Sequence, residues 1–444
     1  MTKDLTEGSP ARLIFFFTLP LLAGNIFQQL YAFVDTLIVG RFLGVEALAA
    51  VGCTGCLLFL MIGFIMGSTS GLAIVTGQRF GAKDEAGVRR SAAACYKLAF
   101  LMSVVLSVGG ALTARPILEL LQTPPEILED AVSFITVVYG GIFLFVFLAM
   151  QSNMIRALGD SRTPTYLLAF GLTLNIIFEP LFILVFKLGI PGAALATLSA
   201  QLCGNIAAIT FIRRRVPLLV PRGDEWRVSR EELLEHLKLG IPMGFQSIVI
   251  ALGALVLQVA LNGLGPLAVA AYAAAQKVDV IAIMPMMSFG MAMAAYTAQN
   301  YGARRLERIR QGVRQCLLMS GAFSIVIGIF NAVCGPAVME LFVGSDAPQV
   351  VEYGQMYLVI QGSCYWVLSV LFVLRFTLQG LGQTAVPTFA GVMELIMRSV
   401  AALVLVKYYD YLGACWASPL AWIGSCLPLV VAYFYTRGSL VDRD

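Results

Sequence analysis

Four acidic residues interrupt long apolar stretches of this sequence: Asp35, Glu179, Asp279 and Glu394. An ionised carboxylate near the centre of a bilayer costs on the order of 3 kcal/mol, so an acid inside an apolar segment is a candidate functional residue. Such a carboxylate can bind a cation, hold a proton or form an ion pair with a buried base. The neighbouring residues decide among these uses.

Two of these acids fall at a similar depth. Counting about 1.5 Å per residue from the segment ends places Asp35, Glu179 and Thr197 about 10 Å below one boundary. Asn175 lies one helical turn before Glu179 on the same face. Oxygen ligands of this kind suit a small cation such as sodium, and two nearby carboxylates can alternatively share a proton. The four residues are therefore predicted to form a cation-coupling site, unless they only hydrogen-bond helices to one another.

Further polar residues are candidates for a substrate cavity or a gate. Gln28 and Tyr31 share a helix face with Asp35, and this face is a polar stripe. Lys277 and Asp279 are two residues apart, so they cannot face each other directly, although both could line a cavity.

Glu394 and Arg398 are four residues apart and are predicted to form a structural ion pair.

Pro20 lies inside the first apolar segment, where it removes a backbone hydrogen bond and bends the helix. The bend is either a static kink or a conformational hinge.

The composition requires a membrane protein. Of the 444 residues, 59% are hydrophobic and 13% are charged, and the mean hydropathy is +0.84, which is outside the range of water-soluble domains. Apolar runs of about twenty residues recur between short polar loops, as spanning α-helices require, and they lack the alternation of a β-barrel. The net charge of +4 arises from basic residues in short loops, so no nucleic-acid partner is expected.

The sequence offers little support for an enzyme or for a bound cofactor. The one close cysteine pair, Cys53 and Cys56, has no histidine or second pair nearby. A membrane enzyme would need a convergent catalytic cluster, and the sequence offers none. We therefore expect no enzymatic activity and no cofactor, only a coupling ion.

Twelve apolar segments are long enough to span a bilayer. They cover residues 13–38, 47–76, 92–113, 132–154, 165–186, 190–212, 239–261, 267–298, 313–334, 355–378, 386–406 and 412–435. Most of the 30 Lys and Arg residues lie on the cytoplasmic side if the N-terminus is cytoplasmic. The positive-inside rule thus predicts a multi-pass protein of the cell membrane with both termini in the cytoplasm.

The chain contains an internal repeat. The motif Gln78–Ala82 recurs, with two substitutions, as Gln299–Ala303, roughly 221 residues later. We predict an all-α polytopic membrane protein with twelve transmembrane helices in two six-helix lobes, 1–218 and 236–444, joined by a cytoplasmic linker, 219–235. Because each copy has an even number of helices, the repeat is parallel, with its axis along the membrane normal.

Several short motifs are specific in combination: Pro20, Asp35-Thr36, Val39-Gly40, Leu43-Gly44, Gln78–Ala82 with its repeat, Arg156–Asp160 before Pro164, and Asn175 with Glu179-Pro180. Over nearly its whole length the chain thereby resembles the multidrug and toxic compound extrusion (MATE) family, especially the bacterial members. The resemblance implies two six-helix lobes that export organic, often cationic or amphipathic, compounds against an inward gradient of sodium ions or protons.

The resemblance also assigns the cation site of the N-terminal lobe to Asp35, Asn175, Glu179 and Thr197. Glu179 replaces an aspartate that is frequent at that position, and the acid that one bacterial branch carries on helix seven is missing. Coupling through Asp35 in the N-terminal lobe is therefore the favoured mechanism.

We expect a monomer in the lipid bilayer, with a small organic molecule as its partner. Two alternatives remain open: a major-facilitator-type transporter, which also has twelve helices in parallel repeats, and a lipid or oligosaccharide flippase of the same superfamily. The repeated glutamine and glycine motif disfavours the first alternative. The shortage of basic residues along the predicted cavity disfavours the second.

Overall fold

The structure, a computed structural model, describes residues 3–344 and 347–440, and all regular elements in these residues are helical. The α-helices are α1 (Pro10–Phe42), α2 (Val45–Gly81), α3 (Glu85–Leu120), α4 (Pro125–Gly140), α5 (Ile142–Ala157), α6 (Arg162–Pro180), α7 (Gly189–Arg215), α8 (Arg230–Asn262), α9 (Pro266–Gly302), α10 (Leu306–Val343), α11 (Pro348–Gly380), α12 (Ala385–Val400) and α13 (Val406–Arg437). One turn of π-helix follows α6 and another follows α12, at Leu181–Val185 and Ala401–Leu405. The predicted all-α class is confirmed.

Ten helices in the described part of the chain are long and apolar enough to cross a membrane, or eleven if α4 and α5, which are bent by 47° at Gly141, form one span. This is a multi-pass membrane protein. The count does not confirm the twelve predicted spans. The difference arises at Ala385–Arg437, which counts as one helix of 53 residues although Asp410 within it has a non-helical backbone, with φ 48° and ψ −127°.

Two compact units divide the described residues. The first contains Lys3, Asp4 and Ala23–Gly244, and the second contains Leu5–Leu22 and the described residues from Phe245 onward. The division therefore passes through α1 and α8, whereas the sequence repeat placed it in the linker. The lobe boundaries at 218 and 236 stay a prediction.

Each unit has its own apolar core. In the first unit, buried residues of α2, α3, α4, α5 and α7 form a single cluster, which includes Ala92, Ile135 and Met150. In the second unit α9 and α11 are the most enclosed helices, since 61% of the most apolar stretch of each is buried. Many outward-facing residues of both units are large and apolar, as a lipid solvent requires.

In each unit, the repeated motif contacts the chain at or just before the start of a helix. In the second unit Gln299 accepts a hydrogen bond from the Leu5 backbone N–H at 2.9 Å, and the Asn300 side chain donates to the Leu5 carbonyl at 3.1 Å, just before α1. In the first unit Arg79 forms ion pairs with Glu232 at 3.3 Å and Glu235 at 2.9 Å, at the start of α8. The two copies of the motif thus contact the chain where α1 and α8 begin.

The linker is ordered against the first unit. Its short helical turn Gly223–Trp226 places Glu225 2.6 Å from the Arg89 guanidinium and the Trp226 ring 6.3 Å from the Tyr96 ring. The hydrogen bond from Arg89 holds the pKa of the Glu225 carboxyl below its usual range, so this ion pair persists at neutral pH.

Two glycines let α10 and α11 cross closely within the second unit. A Cβ atom added to Gly328 would lie 2.5 Å from the carbonyl oxygen of Gly362, and one added to Gly362 would lie 3.1 Å from the Gly328 Cα. Small residues at such crossings allow the backbones of membrane helices to approach. A side chain at position 328 would have to push the two helices apart.

We therefore expect Gly328→Ala to destabilise the protein by about 1–3 kcal/mol, the usual cost of overpacking. Gly321 lies two turns earlier on α10 and has open space around its Cα, so Gly321→Ala should leave stability unchanged or raise it. Thermal midpoints of the purified variants in detergent measure both effects. Equal midpoints for the two variants would contradict the proposed helix crossing.

Candidate functional site

The site begins on α1, where Tyr31 and Asp35 lie one helical turn apart. The Tyr31 hydroxyl donates a hydrogen bond to Asp35 Oδ1 at 3.2 Å, and both side chains are half-buried. Gln28, on the same predicted face, is exposed and makes no hydrogen bond with the described residues. The structure thus separates Gln28 from the polar contacts that Tyr31 and Asp35 make.

Helix α6 contributes Asn175 and Glu179, again one turn apart. Their side chains are only 2% and 1% exposed. The π-helical turn Leu181–Val185 begins two residues after Glu179. Such turns in membrane and soluble helices occur often at functional sites, because they rotate the following residues relative to a regular α-helix.

Helix α7 completes the group with Thr197. The Asn175 amide donates to Thr197 Oγ1 at 3.0 Å, and the Thr197 hydroxyl donates to the Ala193 carbonyl at 3.2 Å. Tyr31, Asp35 and Glu179 interact electrostatically with one another, but no hydrogen bond joins the two carboxyls. The four predicted cation-site residues and Tyr31 are therefore together, all in the first unit.

Three oxygens of this cluster have no hydrogen-bond donor among the described residues: both carboxyl oxygens of Glu179 and Asn175 Oδ1. The neighbour of Glu179 is another carboxyl, which can donate only when it carries a proton. Among the described residues, no Lys or Arg interacts with either carboxyl. Because a buried acceptor without a donor is costly, the arrangement calls for a shared proton or a bound cation.

The oxygens also fit a small hard cation. Two carboxyls, an amide oxygen and a hydroxyl are ligand types that sodium accepts and that softer metals do not select. The described residues contain no group of three or more His, Cys, Asp or Glu side chains that could hold a metal ion. The site is thus an oxygen cluster with two acids.

Asp279 lies in a different environment in the second unit. Its carboxylate is 5% exposed and accepts hydrogen bonds from the hydroxyls of Tyr357 at 3.0 Å and Tyr365 at 2.5 Å. Asn331 in turn donates to the Tyr365 hydroxyl at 3.2 Å. Lys277 is exposed, so the two candidates that the sequence grouped for a cavity or gate are placed apart.

The sequence alone does not predict Tyr357 and Tyr365 as partners of Asp279. Tyr357 and Tyr365 are eight residues apart on α11, so they share a helix face, and this spacing is the only signal that could have indicated a paired role.

Glu394 forms the predicted ion pair with Arg398 at 3.2 Å, and a second buried base, Arg375, lies 2.9 Å from it. Arg375 also donates to Ser425 Oγ at 3.0 Å. All three charged side chains are buried. Two bases therefore flank one acid here, whereas the two acids in the first unit have no base among the described residues.

Comparison with known proteins identifies the family of this chain. The MatE family profile matches the chain twice, at residues 20–181 and 242–404. The chain belongs to the multidrug and toxic compound extrusion family. Members of this family are transporters. Because the chain belongs to this family, the major-facilitator alternative is excluded.

Individual relatives extend over almost the whole chain. It is 29% identical to the "Probable multidrug resistance protein YpnP" of Bacillus subtilis, over 93% of this chain and 90% of that protein. It is 25% identical to the "Probable multidrug resistance protein NorM" of Thermotoga maritima, over 93% of this chain and 88% of the relative. A crystal structure of MATE in the bent conformation has the same fold, with a TM-score of 0.89, 22% identity and coverage of 98% of this MATE transporter and 96% of that chain.

The tyrosine pair on Asp279 generates a stability prediction. Tyr365→Phe removes a donor from a buried carboxylate, and hydrogen bonds to charged groups contribute about 1.5–3 kcal/mol, so the variant should unfold more readily by that amount. Tyr435, which is 89% exposed, provides the control Tyr435→Phe, with no expected change. Denaturant unfolding in detergent measures both variants. A Tyr365→Phe protein as stable as the control would show that the hydrogen bond contributes nothing.

Proposed function

We propose that this MATE transporter is a secondary active antiporter that exports small organic, often cationic or amphipathic, compounds in exchange for sodium ions or protons. The observation that carries the proposal is the Asp35–Glu179 carboxyl pair. Glu179 is buried and Asp35 is half-buried, and neither has a basic partner among the described residues. Both Glu179 oxygens lack a hydrogen-bond donor, which leaves them free for a cation. No cofactor is needed for this exchange beyond the coupling ion.

Coupling follows from the charge of the pair. Two neighbouring ionised carboxylates repel each other, so taking up a proton or a sodium ion stabilises the packed arrangement of α1, α6 and α7. A ligand shifts a conformational equilibrium only through its different affinities for the two states. The loaded pair therefore favours one state of the first unit and the empty pair another, which links ion binding to substrate release.

Pro20 is the proposed hinge. It lies two residues before Leu22, at which α1 passes from one compact unit to the other. Pro242 has the corresponding place in α8, two residues before the division at Gly244. A proline at each crossing point weakens the helix where the chain changes units, and this supports a bend there.

Two six-helix lobes, 1–218 and 236–444, with the linker 219–235, remain our proposed organisation. The double match of the family profile supports the parallel repeat. So do left-handed backbone residues that recur at one interval, such as Lys83 with Arg304.

Twelve spans follow if the segment Ala385–Arg437 is two helices. At about 1.5 Å per residue its 53 residues would extend about 80 Å, more than twice the hydrocarbon thickness of a bilayer. The Cα of Gly413 abuts the backbone of Leu405, which is possible only where the chain reverses. We propose a turn at Asp410, a monomer in the cell membrane and cytoplasmic termini.

The remaining candidates receive distinct proposed roles. Tyr31 orients Asp35 through its hydroxyl. Gln28 and Lys277 are exposed and available to a substrate, whereas Asp279 is buried and better suited to gating.

Gradient-driven efflux from proteoliposomes tests the proposal. Asp35→Asn should insert normally and lose uphill export by at least about tenfold, because the neutral amide neither takes up a proton nor balances a sodium ion. Glu126→Gln removes an exposed acid and should export like the wild type. A sodium gradient and a pH gradient, applied separately to a dye and to a labelled lipid, identify the ion and separate drug export from lipid flipping. Undiminished uphill export by Asp35→Asn would refute the mechanism.

A further inference from the structure

A pocket of about 630 Å³ lies in the second unit, between the start of α10 and the end of α13. Its walls combine three arginines, Arg310, Arg314 and Arg437, with apolar and aromatic side chains such as Leu317 and Phe434. No part of it belongs to the carboxyl cluster of the first unit.

The pocket holds an excess of positive charge. None of its three arginines forms an ion pair with an acid among the described residues, and Glu307 is the single acid in its lining. Arg310 and Arg314 are four residues apart on one helix face, where like charges repel. Tyr433 lies within electrostatic range of both Arg310 and Arg437, so the charges converge on one space. An anion would relieve this repulsion.

The pocket opens onto an apolar surface. Leu318, which lines the pocket, is 64% exposed, and Val326 farther along α10 is 65% exposed. On α13, Val431 is 69% exposed and Leu427 is 63% exposed. Exposed side chains of this size on spanning helices face lipid tails. A ligand that fits both parts has an anionic end for the arginines and a hydrocarbon end for this surface.

We propose that this pocket binds the headgroup of an anionic phospholipid, with its acyl chains along the apolar faces of α10 and α13. Arginine suits a phosphate diester, because its planar guanidinium presents paired donors. In the orientation proposed above, the start of α10 and the end of α13 lie at the cytoplasmic leaflet. Basic pockets between helices on that side bind acidic headgroups in other membrane proteins.

Binding of acyl-labelled phosphatidylglycerol to the purified protein in detergent micelles, followed by fluorescence anisotropy, tests the site. Each arginine near an anionic lipid contributes about 1 kcal/mol, or about fivefold in Kd. The triple variant Arg310→Gln, Arg314→Gln, Arg437→Gln should therefore weaken binding by roughly tenfold to a hundredfold. The single variant Arg314→Gln, at an exposed position, should weaken it about fivefold even if the triple variant folds poorly.

Three exposed arginines at the end of α7 provide the matched control: Arg213, Arg214 and Arg215. Replacing all three by glutamine removes the same charge and should leave the Kd within about twofold. Equal weakening in this control, or equal wild-type affinity for labelled phosphatidylcholine, would overturn the proposal. Displacement of the lipid by millimolar inorganic phosphate would assign the pocket to a free anion instead.

Discussion

The first unit depends on two neighbouring carboxyl groups, those of Asp35 and Glu179, which have no basic partner among the described residues. Asp35 and Glu179 cannot both stay ionised without a bound cation, since two neighbouring negative charges repel each other and a charge inside a bilayer is costly. The cluster needs a proton or a metal cation, and either one changes the charge that α1, α6 and α7 enclose. Tyr31, Asn175 and Thr197 hold the acids in place but do not neutralise them. A requirement for an exchangeable positive charge is what makes this site suitable for ion coupling.

In the second unit, the buried acids have partners among the surrounding side chains. The hydroxyls of Tyr357 and Tyr365 satisfy Asp279, and Arg375 and Arg398 flank Glu394. Asp279 thus has a hydrogen-bond donor on each carboxyl oxygen and Glu394 has two bases, whereas the Glu179 oxygens have neither. The difference argues that ion chemistry belongs to the first unit, although both units contain copies of one sequence motif.

Counting residues along the helices predicted that Asp35, Glu179 and Thr197 share a depth, and the structure brings them together. That prediction was possible because lipid makes buried acids rare and the helical rise is constant. The partners of Asp279 and the second base on Glu394 could not be predicted, since they depend on how each helix rotates about its axis. The passage of α1 and α8 between units was also hidden, because the charged linker is the only boundary that composition reveals.

Infrared difference spectroscopy of the protein in lipid tests the central claim, that the Asp35–Glu179 pair exchanges a cation. Adding sodium or changing the pH should alter the C=O stretch of protonated carboxyls in the wild type. The signal should disappear in Asp35→Asn and in Glu179→Gln, and it should persist in Asp279→Asn. A wild-type spectrum that responds to neither cation, or a response that survives in both variants of the pair, would contradict the account.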